Sequence, residues 1–267
     1  MLFNPSGHAF ASAWSIGLAA FALPVCAQIS SSKHNLTSSG TGVNQFSESD
    51  DICVFCHTPI GLDESAVVPQ WNRTLPSPAT YRTYDMLGTS TLTGKVAPVG
   101  SVSLACLSCH DGSQAMSAVI NAPRSGWTAG IWSGANQSGG RLAAGVSSNL
   151  GTDLRNDHPI GVQYGGGGIS ASSPSAITHN PDFRAPQSAV LNDMRVWWIG
   201  AGQDTTGMRR KTDLILYTRT RTDGYTGQTE YEPFVECASC HDPHSDKALF
   251  LRISNTHSAL CLTCHIV

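Results

Sequence analysis

Eight cysteines of this chain fall into one repeated arrangement: Cys53-Val-Phe-Cys56-His57, Cys106-Leu-Ser-Cys109-His110, Cys237-Ala-Ser-Cys240-His241 and Cys261-Leu-Thr-Cys264-His265. Two thiols one helical turn apart can add to the two vinyl groups of one haem. The His that follows then lies under the iron and supplies a nitrogen ligand. Four copies predict four covalent haem c groups, with the eight cysteines as thioethers and His57, His110, His241 and His265 as proximal ligands. The competing uses of eight cysteines are four disulfides and zinc sites made of paired CxxC units. Neither needs a His after every second Cys.

The other face of each iron needs a ligand too. Apart from His8 and the four motif histidines, five remain: His34, His158, His179, His244 and His257. That supply can saturate four irons with His on both faces. Met86, Met116, Met194 and Met208 are the alternative ligands, and Met/His ligation raises the potential. A six-coordinate iron has no open position for substrate, so this supply points to electron transfer. Catalysis, such as reduction of nitrite or a similar small oxyanion, would need a five-coordinate haem with polar donors beside it.

Spacing adds geometry. His244 lies three residues after His241, too close to reach round the same ring, so as a ligand it must serve a different haem. His257, four residues before Cys261, faces a similar restriction. The third and fourth motifs begin 24 residues apart, so residues 237–265 read as a closely packed haem pair tied by shared ligands. His158 stands in Asn156-Asp157-His158-Pro159, where the Pro disfavours helix. Asp157 is placed to accept the other ring N–H, with a plain turn as the alternative. His34 sits on a polar N-terminal arm, 28–50, from which it can reach a distant haem, including one in another subunit.

The elements that must hold these residues are sparse. Of 267 residues only 13% are charged, against about 25% in an average soluble protein. The net charge of −3 offers nothing to drive counterion release from phosphates, which argues against nucleic acid. Residues 1–27 carry no Lys, Arg, Asp or Glu, and an apolar run from Ala9 ends at Val25-Cys26-Ala27. This reads as an export signal cleaved after Ala27, with a membrane anchor or a lipid on Cys26 as the competing readings. No later segment approaches the ~20 apolar residues of a membrane span. The rest, 28–267, reads as one tetrahaem domain: mostly irregular coil wrapped around four haems, with short helices at the CxxCH sites and a small antiparallel β element. Strands are expected at 194–199, 213–220 and 228–235, joined around Asp223-Gly224 and Gly227. A helical turn is expected near 112–120 and a flexible Gly/Ser-rich loop at 164–175. Three sequons, at Asn35, Asn72 and Asn136, fit chance as well as glycosylation.

The sequence resembles the multihaem cytochromes with a doubled CxxCH motif, and among them the tetrahaem OmcE-type extracellular cytochromes that polymerise into filaments. The likeness is carried by Ser32-Lys33-His34-Asn35-Leu36, Ile52 to Pro59, Ser103 to Gly112, Asn156 to Ile160 and 237–265. Residues 113–150 and the Gly-rich loop have no counterpart in it. The resemblance implies long-range electron transfer, with His34, His158 and His244 as distal ligands. Related chains often have His where Ile60 stands, which leaves the fourth distal ligand to His179 or His257. It also implies a homopolymer in which a His of one subunit ligates a haem of its neighbour, working with other redox proteins or extracellular acceptors. A monomeric periplasmic shuttle, or a subunit of a redox complex, is the alternative.

Overall fold

Short apolar runs separated by Gly, Ser and Pro can build only short elements, and there are no others among the described residues. The structure, a computed structural model, describes residues 29–58, 70–203, 207–220 and 231–266. The expected export signal, Ile60, the turn at 223–227 and residues 228–230 of the third expected strand lie outside the described residues. Among the described residues no helix is long and apolar enough to cross a membrane.

Strand β1 (Asn44–Phe46) pairs antiparallel with β2 (Trp132–Gly134), which sets Phe46 opposite Trp132. Strands β3 (Gln137–Ser138) and β4 (Arg141–Leu142) form a small hairpin through Gly139 and Gly140. Both glycines have positive φ (57° and 78°), as a tight two-residue hairpin turn requires. The main sheet comprises β5 (Val162–Gln163), β6 (Gln187–Leu191), β7 (Met194–Ile199), β8 (Leu214–Arg219) and β9 (Glu232–Val235). Its order is β5-β9-β8-β7-β6, antiparallel throughout. Expected strand 194–199 coincides with β7, while 213–220 and 228–235 contain β8 and β9. Strand β6 was not expected, because Gln187-Ser-Ala-Val-Leu has no alternating pattern and forms by pairing with β7. Trp197, Trp198 and Ile199 are all buried, so both faces of β7 are covered there.

Three helices carry motif cysteines: α1 (Ser101–His110), α2 (Cys237–Cys240) and α3 (Ala259–Cys264). The first motif has a single turn, closed by the His57 N–H on the Cys53 carbonyl at 2.8 Å. The helical turn expected near 112–120 does not form. Gly112 leaves α1 at φ 70°, and the N–H groups of Met116 and Ile120 go to the carbonyls of Gly140 and Asn72 instead of to an earlier turn. The Gly-rich segment is tightly packed instead of loose. Tyr164, Ile169 and Ser170 are buried, and His179 and Asn180 donate to the carbonyls of Gly167 and Gly165. A side chain at Gly168 (φ 92°) would press on the Ile177 carbonyl and the His179 ring, at 2.6 and 2.9 Å.

A domain of this size usually has one contiguous core. Among the described residues the buried apolar side chains form four separate clusters. The first has Phe55 and packs on Cys109, the second packs on Cys264, and the third holds Leu104 and Leu107 of α1. The largest clusters thus lie directly against motif residues.

Candidate functional site

Trp71 to Arg73 brace the first motif. Trp71 pairs with His57 in an isolated bridge, and its ring lies edge-on to the imidazole at 6.1 Å. The Asn72 amide donates to the Val54 carbonyl at 2.7 Å and its N–H to that of Cys56 at 2.9 Å. The second and third motifs are joined by a buried network. Glu236 accepts Ser103 Oγ at 2.5 Å and Arg219 Nη2 at 2.7 Å. It also forms a capping box with Ser239 at the start of α2. Burial raises the Glu236 pKa, opposed first by Arg219.

The motif histidines meet the spare ones. The rings of His57 and His244 have centroids 6.1 Å apart, with planes 21° apart. The rings of His34 and His110 have the same centroid separation, 6.1 Å, with planes 62° apart. His158 lies close enough to His265 for their charges to interact. Among the described residues no such ring contact involves His241, His179 or His257. His244 therefore sits against a motif histidine other than its neighbour His241. The arm places His34 against this chain's own His110.

The rings are oriented by backbone carbonyls. Nδ1 of His110 donates to Ser148 at 2.7 Å, that of His241 to Leu249 at 2.8 Å, that of His158 to Pro159 at 3.1 Å and that of His179 to Gly166 at 3.1 Å. His57 and His34 bond the carbonyls of Gln70 and Pro243. Such a bond fixes the tautomer and leaves the other nitrogen to bind a metal. For His158 the partner is the Pro159 carbonyl and not the Asp157 carboxylate. His244 instead has Nδ1 3.9 Å from an Asp242 carboxylate oxygen. His257 has positive φ (52°) and is exposed, with no ring bond among the described residues. Phe250 stacks on His34 at 4.1 Å and 7°, a contact that no sequence signal marks.

Burial and neighbouring imidazoles favour the neutral rings. Burial, then His110, holds His34 down to about 4. His57 is lowered by burial and then His244, and His265 by burial and then His158. His110 is lowered by burial, against the Ser148 carbonyl.

The thiols report their own arrangement. No disulfide joins any of the eight. Burial pushes Cys56 and Cys264 up to about 12 and Cys240 to about 11. Cys56 feels Cys109, Cys106 hydrogen-bonds Cys237, and Cys240 feels Cys261. The motifs therefore lie side by side in chain order. Met116 is buried, with its carbonyl on Arg73, and Met86, Met194 and Met208 are exposed. Within the stretch 237–265, Arg252 bonds the carbonyls of Cys240 and Ala238 in the third motif, and Cys240 feels Cys261 of the fourth. Asn35 and Asn72 are buried and hydrogen-bonded, so two of the three sequons are closed in the folded chain.

Two observations test whether these residues suit haem. A metal held between two imidazoles at about 2 Å, with each ring centre about 1.1 Å further, separates the ring centres by about 6 Å. Both histidine pairs meet that spacing. The indole N–H groups of Trp127, Trp132, Trp197 and Trp198 are buried without a partner, at a cost that an added acceptor such as a carboxylate would remove. The residues fit the group.

A family model described as the doubled CXXCH motif matches residues 232–266, which contain the third and fourth motifs. None of the curated proteins compared matches the chain. The match supports covalent haem c binding and electron transfer of the cytochrome kind.

Proposed function

We propose that the chain is a tetrahaem electron-transfer protein whose haems stand in one row in the order of their motifs. The observation that carries this reading is the 6.1 Å spacing shared by His57/His244 and His34/His110. Each bound haem supplies an iron that takes up and gives up one electron. The eight motif cysteines would hold the haems by thioether bonds. His57 with His244, His110 with His34, and His265 with His158 would each hold one iron from both faces within one chain. The divided core suits a chain that wraps its cofactors.

His241 would then need its second ligand from elsewhere. His179 suits that role better than His257, because its Nδ1 is anchored on Gly166 and its ring is exposed. A neighbouring subunit would supply it, so polymerisation and ligation would be one event. The chain would then be the OmcE-type subunit of an extracellular filament. Low surface charge suits such interfaces, whose cores are depleted in charged residues. Electron microscopy of the haem-loaded protein tests this. Filaments with a regular axial repeat support the polymer, and discrete particles at all concentrations would replace it with a soluble shuttle.

A further inference from the structure

Arg73 is buried, 1% exposed, and lies between the first two motifs. Nη1 donates to the Met116 carbonyl at 2.9 Å, and Nη2 to those of Ala115 and Ser108 at 2.8 and 3.4 Å. Nε has no partner, and no carboxylate pairs with the guanidinium among the described residues. Three carbonyls orient this cation but cannot neutralise it. An arginine does not lose its charge on burial, and leaving it unpaired there is costly. The nearby Cys56 and Cys109 both feel its charge. Arg219, by contrast, has Glu236, and Arg252 has Asp242 at 3.9 Å.

We propose that Arg73 is a redox-tuning residue, a fixed buried charge that raises the potentials of the haems held by Cys53/Cys56 and Cys106/Cys109. This rests on the tetrahaem reading. Adding one electron to a neighbouring ferric iron, taken from a reductant or from the next haem in the row, makes and breaks no bond and moves no proton. It places negative charge near Arg73, in a medium where screening is weak. Asp111, a buried carboxylate that follows His110, also bears on Cys109 and offsets the effect on the second haem. Arg73 therefore acts on both haems. The role suits an electron carrier, since it sets the slope along the row without touching an iron.

The test is a spectroelectrochemical titration of the haem-loaded wild type, Arg73→Lys and Arg73→Met. Arg73→Met should retain four low-spin haems and lower the midpoints of the His57 and His110 haems, leaving the other two near their wild-type values. Arg73→Lys should stay near the wild type, because it keeps the charge and loses only the fork. Unchanged midpoints in Arg73→Met with four haems in place would overturn the proposal, as would an equal fall in Arg73→Lys. If Arg73→Met does not load four haems, Arg73→Gln takes its place and is read by the same outcomes. Failure of the tetrahaem reading would show separately, as a wild-type haem count below four.

Discussion

His57 and His244 come from opposite ends of the chain, yet their imidazole centroids stand 6.1 Å apart with planes 21° apart. Asp242 and the Gln70 carbonyl flank this pair. His244→Ala should therefore leave every haem attached and turn one, that of His57, high-spin. Added imidazole should restore its low-spin spectrum. Absorption and electron paramagnetic resonance spectra check this, and an unchanged low-spin spectrum would discard the assignment.

The His34/His110 pair is held differently. Phe250 stacks on His34, and aromatic pairs of this kind contribute about 0.5–1.5 kcal/mol beyond area burial. Phe250→Ala should weaken docking of the arm by roughly 2- to 10-fold, read as faster amide exchange over 34–46. Exchange that speeds equally across the whole chain would mean general destabilisation instead.

The Arg219–Glu236 pair is almost wholly buried. Removing one member of such a pair typically costs about 3–5 kcal/mol, whereas replacing both with apolar residues is near neutral. Arg219→Met should therefore lower the denaturation midpoint of the loaded protein sharply, and Arg219→Met with Glu236→Leu should recover most of it. Equal losses in the single and double variants would contradict this reading of the network.

Two carboxylates before His158 shift in opposite directions. The Arg155 fork, with Arg82 beyond, holds Asp153 at about 2, while burial raises Asp157. Asp153 therefore contributes stability that is complete above its ordinary 3.8 and is lost as pH falls towards about 2. Asp157 acts with the reverse sign and favours the fold when protonated. Side-chain carbonyl NMR should show Asp157 titrating at higher pH than Asp153. The opposite order would mean that the turn carrying His158 is packed differently.

The doubled motif at 232–266 is legible in the sequence, because CxxCH fixes thiols and imidazole by local spacing alone. Strand β7 is legible as well, since Met194 to Ile199 carries its own β-branched and aromatic signal. Strand β6 is not, because it depends on its partner. The meeting of histidine rings is long-range: His244 is three residues from His241 but meets His57, and only tertiary structure decides that. Neither Arg73 nor Phe250 matches a motif, and each acquires its role from what packs on it. Residues 112–120 read as helical, but their N–H groups find tertiary partners after Gly112 turns the chain.

Low-temperature electron paramagnetic resonance of the oxidised, haem-loaded chain, with haem counted per polypeptide, tests the central claim most directly. Four haems are expected, of which at least three are low-spin in the isolated subunit, the remaining one becoming low-spin on assembly. Two or more high-spin haems per chain, or a count below four, would contradict it.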